Sequence, residues 1–345
     1  AVESVFVVAR MLQLVERSER RRPASLFPIS TAFRPDDRLG REPDPNVGSR
    51  WPIAFGGLLL LLYSVVAGPL NFARHRKRGR PLHSLRALPI LSLGTFLLIA
   101  LVGTFAKGCS DRSRRLVLAE LGAGSTHGHA TRWRSFFGPR ATTLGVGTNH
   151  QGSVVGAAID DNGSALAELR VVRDALRLEN LQVRPWQTAI VRDNSPIDLP
   201  GSISLLDDGS GGVTVVNRTG KNLRGLVLWL PSGTLKLGAK LADGETVNSH
   251  ALSAIPQCLG ASTLPALFTI DSGHCGETMA KVSPGLEHAW IAISQQSSPH
   301  RIWFPDDVPV LLAQVDGGDG ETRDAGMKLE HNRLLIRVVG YGGRR

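Results

Sequence analysis

The chain has 345 residues, room for two or three domains, and its 42% apolar and 20% charged content excludes wholesale disorder. A formal charge of +10 admits nucleic acid or an anionic membrane surface as a partner. Position decides between them: the basic residues gather at 10–22, 74–86 and 107–115, beside apolar segments, and no nucleic-acid-binding motif accompanies them. No nucleic-acid partner is expected.

Residues 1–50 read as a helical or irregular segment, the end of a longer region. Val5, Val8, Met11, Leu12 and Val15 recur at helical spacing and share one face. The short apolar run precedes the charges, the reverse of a secretory signal.

Residues 51–106 read as a transmembrane hairpin. The stretches 51–73 and 87–106 contain no charged residue, and each is about as long as the roughly 20 residues that span the hydrocarbon core. The loop between them, 74–86, carries Arg74, Arg76, Lys77, Arg78 and Arg80, five cations in seven positions. These five are the expected topology and lipid-headgroup residues: the positive-inside rule places them in the cytoplasm and both chain ends outside. Arg38, Arg41 and Arg50 before the pair, and Lys107, Arg112, Arg114 and Arg115 after it, compete, but the loop is denser. Ser64 with Gly68, and Ala100 with Thr104, have the four-residue spacing at which helices approach closely. Pro69 is expected to kink or end the first helix. Neither span holds an acid or a histidine, which argues against a channel or transporter built by this chain alone.

After Lys107 short β-branched and alternating runs separated by Gly, Asn, Asp and Pro predict strands, among them 114–121, 153–159, 167–174, 187–193, 202–206, 212–217, 223–230 and 234–238. The expected fold class is a membrane-anchored, mainly β protein: a two-helix hairpin, then an antiparallel β-sandwich-like domain over 107–250. Residues 251–345 read as a less regular α+β region packed on it.

Several of these pieces resemble a family of uncharacterised bacterial inner-membrane proteins. The shared features are a helix ending Tyr63 … Gly68-Pro69-Leu70-Asn71-Phe72 before a basic turn, and a β region patterned on Gly212, Val213, Val215, Asn217, Thr219, Leu223, Val227 and Trp229. Leu237-Gly238, Gly244-Glu245-Thr246 and the closing "LLIRVVG" extend it. The resemblance implies an extracytoplasmic β-rich domain and brings no activity, substrate or catalytic residue.

Three cysteines are present. Cys258 and Cys275 are a disulfide candidate if the body is extracytoplasmic, and a bridge there would stabilise by about 3 kcal/mol through loop closure. His127 and His129 share a strand face but lack a third ligand, so no metal is expected. His274 and Cys275 are adjacent and would point apart in a strand. The glycine-rich 122–128 lacks the Gly-Lys-Ser/Thr of a phosphate loop, and no cofactor is expected. Asp160-Asp161, Asp207-Asp208 and Asp306-Asp307 sit in turn-like settings; two of them could take calcium weakly. Arg132, Trp133, Arg134, Phe136 and Phe137 alternate cation and ring, and form the candidate partner or headgroup surface, ordinary strand packing being the alternative.

The function these observations predict is a membrane-anchored extracytoplasmic binding or scaffold protein of the bacterial inner membrane, multi-pass, in contact with membrane lipids and with a protein or envelope-polymer partner. The alternatives are a membrane subunit of a larger envelope transport or motility assembly, and an envelope hydrolase whose site is assembled from distant residues.

Overall fold

A computed structural model describes residues 32–33, 51–77, 83–107, 110–147, 153–158, 167–172, 175–254, 289–290, 293 and 303–342. The first helical region comprises α1 (Trp51–Val65), a π-helical turn (Val66–Leu70) and α2 (Asn71–Lys77). Pro69 lies inside that turn. Proline has no N–H to give the helix and its ring crowds the carbonyl one turn back, so the backbone widens locally instead of stopping. The Asn71 N–H reaches the carbonyls of Gly68 and Val66, and the helix resumes. The expected end at residue 73 is therefore corrected to Lys77. The next helix, α3 (His83–Lys107), packs along α1.

The outer surfaces of α1 and α3 are apolar and open: Leu61 is 63% exposed, Ile90 75% and Phe96 67%. A helix in a soluble core hides such residues; these do not. Among the described residues one helix is long and apolar enough to cross a membrane, over Ala54–Arg74. The second presents a shorter apolar stretch, Leu88–Val102. The structure therefore shows one candidate span, where the sequence predicted two.

The β body is built from β1 (Ala32–Phe33), β2 (Arg112–Gly122), β3 (His127–Phe137), β4 (Thr142–Val146), β5 (Val154–Ala158) and β6 (Glu168–Val172). It continues with β7 (Ala175–Val183), β8 (Thr188–Asp198), β9 (Ile203–Asp207), β10 (Val213–Asn217), β11 (Leu223–Trp229) and β12 (Leu235–Leu241). Last come β13 (Thr246–Asn248), β14 (Ser253–Ala254), β15 (Val310–Val315), β16 (Arg323–Asp324) and β17 (Met327–Val339). One 11-stranded sheet has the order β1-β5-β8-β3-β2-β17-β15-β11-β12-β14, with β16 hairpinned onto β17. Two three-stranded sheets, β13-β10-β9 and β4-β7-β6, complete it. The sheets are antiparallel except for the parallel pairs β2–β17 and β1–β5.

A mainly β body is thus what the sequence predicted, but its partition is corrected. The strands β15 and β17 lie between β2 and β11, in the middle of the large sheet. The C-terminal region completes the central sheet and is not a second layer packed on a finished one. The β17 strand runs beside β2 from Lys328↔Arg112 to Val339↔Gly122, so the last strand pairs with the first strand after α3.

Side chains alternate across a strand, and here both faces are covered. On one face Leu116, Leu118, Val310, Leu312 and Leu335 pack with Trp133, Trp229, Trp290, Trp303 and Phe304. On the other, Val117, Ala119, Leu311, Ala313 and Ile336 pack against Ile203, Leu205, Val213 and Val215 of the sheet β13-β10-β9. A third cluster joins β3 and β8 to the sheet β4-β7-β6 through Phe136, Val191, Leu178, Leu181 and Met327. The near-continuous apolar runs of β2, β15 and β17 follow from this double coverage.

Candidate functional site

Along β3, Ala130, Arg132, Arg134 and Phe136 fall on one face, as period two requires. Ala130 belongs to the second apolar cluster and Phe136 to the third. Arg132 and Arg134 lie between them, with buried side chains. The register places Arg134 directly opposite Arg115 of β2, and Arg132 directly opposite Asp193 of β8. Two arginines face to face would repel. Asp324, delivered by the β16–β17 hairpin and buried, sits against both.

The Arg115 guanidinium donates from Nε to Asp324 Oδ2 at 3.1 Å and from Nη1 to Asp319 Oδ2 and Glu321 Oε2, each at 2.7 Å. Arg134 donates from Nε to both Asp324 oxygens at 3.0 Å, from Nη2 to Asp324 Oδ1, and from Nη1 to Asp193 Oδ2 and the Gly147 carbonyl, each at 3.2 Å. Arg132 Nη1 donates to Asp193 Oδ1 at 3.3 Å and to Ser195 Oγ. The result is an ionic layer between two apolar clusters, three guanidiniums against four carboxylates.

Burial by itself would raise the Asp324 carboxyl; Arg134 and Arg115 outweigh it and hold the group below the usual carboxylate range. Asp319 is likewise pushed up by burial and pulled down further by Arg115 and Asn332. Burial disfavours the charged form of Arg115 and Arg134, yet Asp324 with its neighbours holds both above the ordinary guanidinium value. Arg115, Arg134, Asp319 and Asp324 therefore stay charged. Paired-carboxylate hydrolysis needs one acid kept protonated, and Asp319 and Asp324 are both held as carboxylates.

A cleft of about 170 Å³ opens beside the layer, lined by Arg132, Lys221, Asp198, Asp319 and Glu321 over an apolar floor that includes Ile197 and Leu334. Its polar groups have internal partners. Lys221 Nζ donates to the Gly318 carbonyl at 2.7 Å, Asp319 and Glu321 hold Arg115, and Asp198 Oδ1 meets His127 Nδ1 at 2.5 Å.

The expected docking surface is corrected here. Trp133, Phe136 and Phe137 are 2%, 0% and 0% exposed, because β3 is a central strand with β2 on one side and β8 on the other. They present no ring to solvent, and Arg132 and Arg134 belong to the ionic layer. Arg74, Arg76 and Lys77 are exposed on α2, whereas Arg78, Arg80, Cys258 and Cys275 lie outside the described residues. His274 and the pair Asp160-Asp161 do too.

Among the described residues no group of three or more His, Cys, Asp and Glu is placed to hold a metal. The Asp207–Gly212 turn shows why locally: Asp208 accepts hydrogen bonds from Ser210 Oγ and N, Gly212 N and Asn248 Nδ2. The Ser210 bonds above all hold it below the usual carboxylate range. Its oxygens bind the turn's own donors.

A second polar centre is built by the residues that carried the family resemblance. Asn217, fully buried, donates through Nδ2 toward the carbonyls of Lys221, Leu241 and Ala242 and accepts at Oδ1 from Thr219 N and Oγ1. Its backbone bonds Gly244 N and the Glu245 carbonyl, while Glu245 Oε2 accepts from Ala242 N. Gly244 takes φ +75°, which favours glycine. One asparagine thus locks the β10–β11 turn to the β12–β13 turn. Trp229, from the same pattern, donates Nε1–H to the Pro305 carbonyl at 3.0 Å. These residues hold the fold together.

The buried acids Asp193 and Asp324, and the half-buried Asp319, escaped sequence reasoning. The available signal was Arg115, Arg132 and Arg134 at inward positions of alternating strands, which demands buried counter-charges somewhere in the chain.

No protein-family model matches the chain, and no curated protein does. Among solved structures, an M1 zinc metallopeptidase variant from Deinococcus radiodurans bound to a Tyr-Ser-Ala substrate aligns at 12% identity over 31% of this chain, TM-score 0.19. The alignment spans 26% of that peptidase. The yeast delta-COP-I mu-homology domain complexed with a WxWxV peptide aligns at 7% identity, over 66% of this chain and 94% of that one, TM-score 0.23. Neither likeness is close enough to bear on fold or function.

Proposed function

We propose that the chain is a membrane-anchored binding or scaffold protein of the bacterial inner membrane, its β body outside the cytoplasm and engaged with a protein or envelope polymer. The observation that carries this proposal is the exposed apolar surface of the first helical region, over Ala54–Arg74, followed by a folded β body. Leaving that surface in water opposes the hydrophobic effect; hydrocarbon removes the cost. In the same proposal α3 crosses as well. Its uncharged stretch, 87–106, extends about 30 Å at 1.5 Å per residue, against a core of about 30 Å. The cations Arg74, Arg76 and Lys77 at the end of α2 then mark the cytoplasmic side, joined by Arg78 and Arg80 of the following loop. The resemblance to uncharacterised inner-membrane proteins points the same way. Binding is favoured over hydrolysis because the carboxylates Asp193, Asp319 and Asp324 are engaged by arginines.

Topology tests it. With Cys109, Cys258 and Cys275 replaced by alanine, single cysteines are introduced by Lys77→Cys and Lys240→Cys, both exposed positions. In spheroplasts an impermeant maleimide is expected to label Lys240→Cys, and to label Lys77→Cys only after the membrane is broken. Labelling of both from outside would leave α1 as the sole crossing. Labelling of Lys77→Cys alone would put the body in the cytoplasm.

A further inference from the structure

We infer that one end of the large sheet is a docking surface for an anionic phospholipid surface, an inference that rests on the membrane-anchored reading above. The last residue of α3 is Lys107 and the first of β2 is Arg112. Five residues of chain reach at most about 18 Å, so this end of the sheet is tethered close to where the helix leaves the bilayer. The register assembles a row of cations there. Arg323 of β16 is directly opposite Lys328 of β17, and Lys328 is directly opposite Arg112 of β2. Directly paired residues project to one face, so the three side chains form one basic row.

Like charges placed opposite one another destabilise a sheet. Among the described residues no ion pair offsets the repulsion for two of the three. Glu330 serves Arg112 at 3.2 Å and Arg114 at 3.3 Å, and Glu321 is engaged by Arg115. Arg323 and Lys328 are exposed and have no ion pair among the described residues. Arg140, in the turn after β3, adds another exposed cation. The Arg112 guanidinium lies 5.3 Å from the Phe137 ring centroid, which fixes it at this edge. The uncompensated charge, the tether and the common face fit a planar array of phosphates. Each cation near such a surface strengthens attachment by about five-fold, an effect that salt screens.

The full chain is reconstituted in nanodiscs of zwitterionic lipid and in nanodiscs containing phosphatidylglycerol, and amide hydrogen exchange is followed over 110–115 and 323–328. Exchange is expected to slow at least about five-fold in the anionic discs, to recover with added salt, and to be indifferent to lipid charge in Arg323→Gln/Lys328→Gln. That double variant removes a repulsion, so misfolding does not explain a loss. Equal exchange in both discs, with the chain incorporated, would overturn the docking surface and leave the anchor intact. Failure to enter either disc would remove the anchor and this inference with it.

Discussion

Asp324→Asn is expected to cost the fold about 3–5 kcal/mol, the range for breaking a buried ion pair by removing one partner. The carboxylate has no exposed side-chain surface and is shared by Arg115 and Arg134, which face each other across β2 and β3. Asparagine keeps the shape and deletes the charge, leaving two buried guanidiniums in repulsion. Thermal unfolding of the full chain in detergent, followed by tryptophan fluorescence, should show a fall of roughly 10 °C. The pH dependence checks the cause. Asp319 and Asp324 are lowered in the folded state, so they bind fewer protons than the unfolded chain. Their stabilisation is complete above the unfolded carboxylate value, about 4, and is lost as pH falls below it. Wild type should therefore lose stability steeply below pH about 4, and Asp324→Asn less steeply. Equal slopes would assign the acid sensitivity to other carboxylates.

Asn217→Ala is the second large expected effect, about 2–4 kcal/mol. The buried side chain supplies donors to carbonyls at two separate turns and an acceptor to Thr219. The Lys221 and Ala242 carbonyls keep other donors, Thr219 Oγ1 and Glu245 N, but alanine removes the acceptor of the buried Thr219 N–H, and an unsatisfied buried group costs about 1–3 kcal/mol. Asn217→Asp should be at least as damaging, since it sets a carboxylate oxygen against carbonyl oxygens while keeping the volume. If the aspartate variant is as stable as wild type, the lock does not depend on the amide.

Local features were legible in the sequence; distant pairings were not. The uncharged stretch beginning at Trp51 and the strands 212–217 and 223–230 announce themselves through composition over a few residues. The β2–β17 pairing joins segments 216–217 residues apart, and register over such a distance leaves no local mark. That is why 251–345 read as a separate layer. Likewise the alternation of Arg132, Trp133, Arg134 and Phe136 is the same whether β3 is an edge or a centre. Only the placement of β8 and β2 beside it buries the rings, and only the β16–β17 hairpin brings Asp324 to the arginines. Pro69 carried a local signal for a break, but a π-helical turn absorbs it.

Alkaline carbonate extraction of membranes from cells making the full chain tests membrane anchoring most directly. A peripheral or soluble protein is released by this treatment, whereas one whose apolar helix lies in hydrocarbon is not. The exposed surface of α1 predicts that the chain stays wholly in the membrane pellet and leaves it only with detergent. Recovery of folded chain in the carbonate supernatant would contradict the anchor, and the apolar faces of α1 and α3 would then have to be covered by protein.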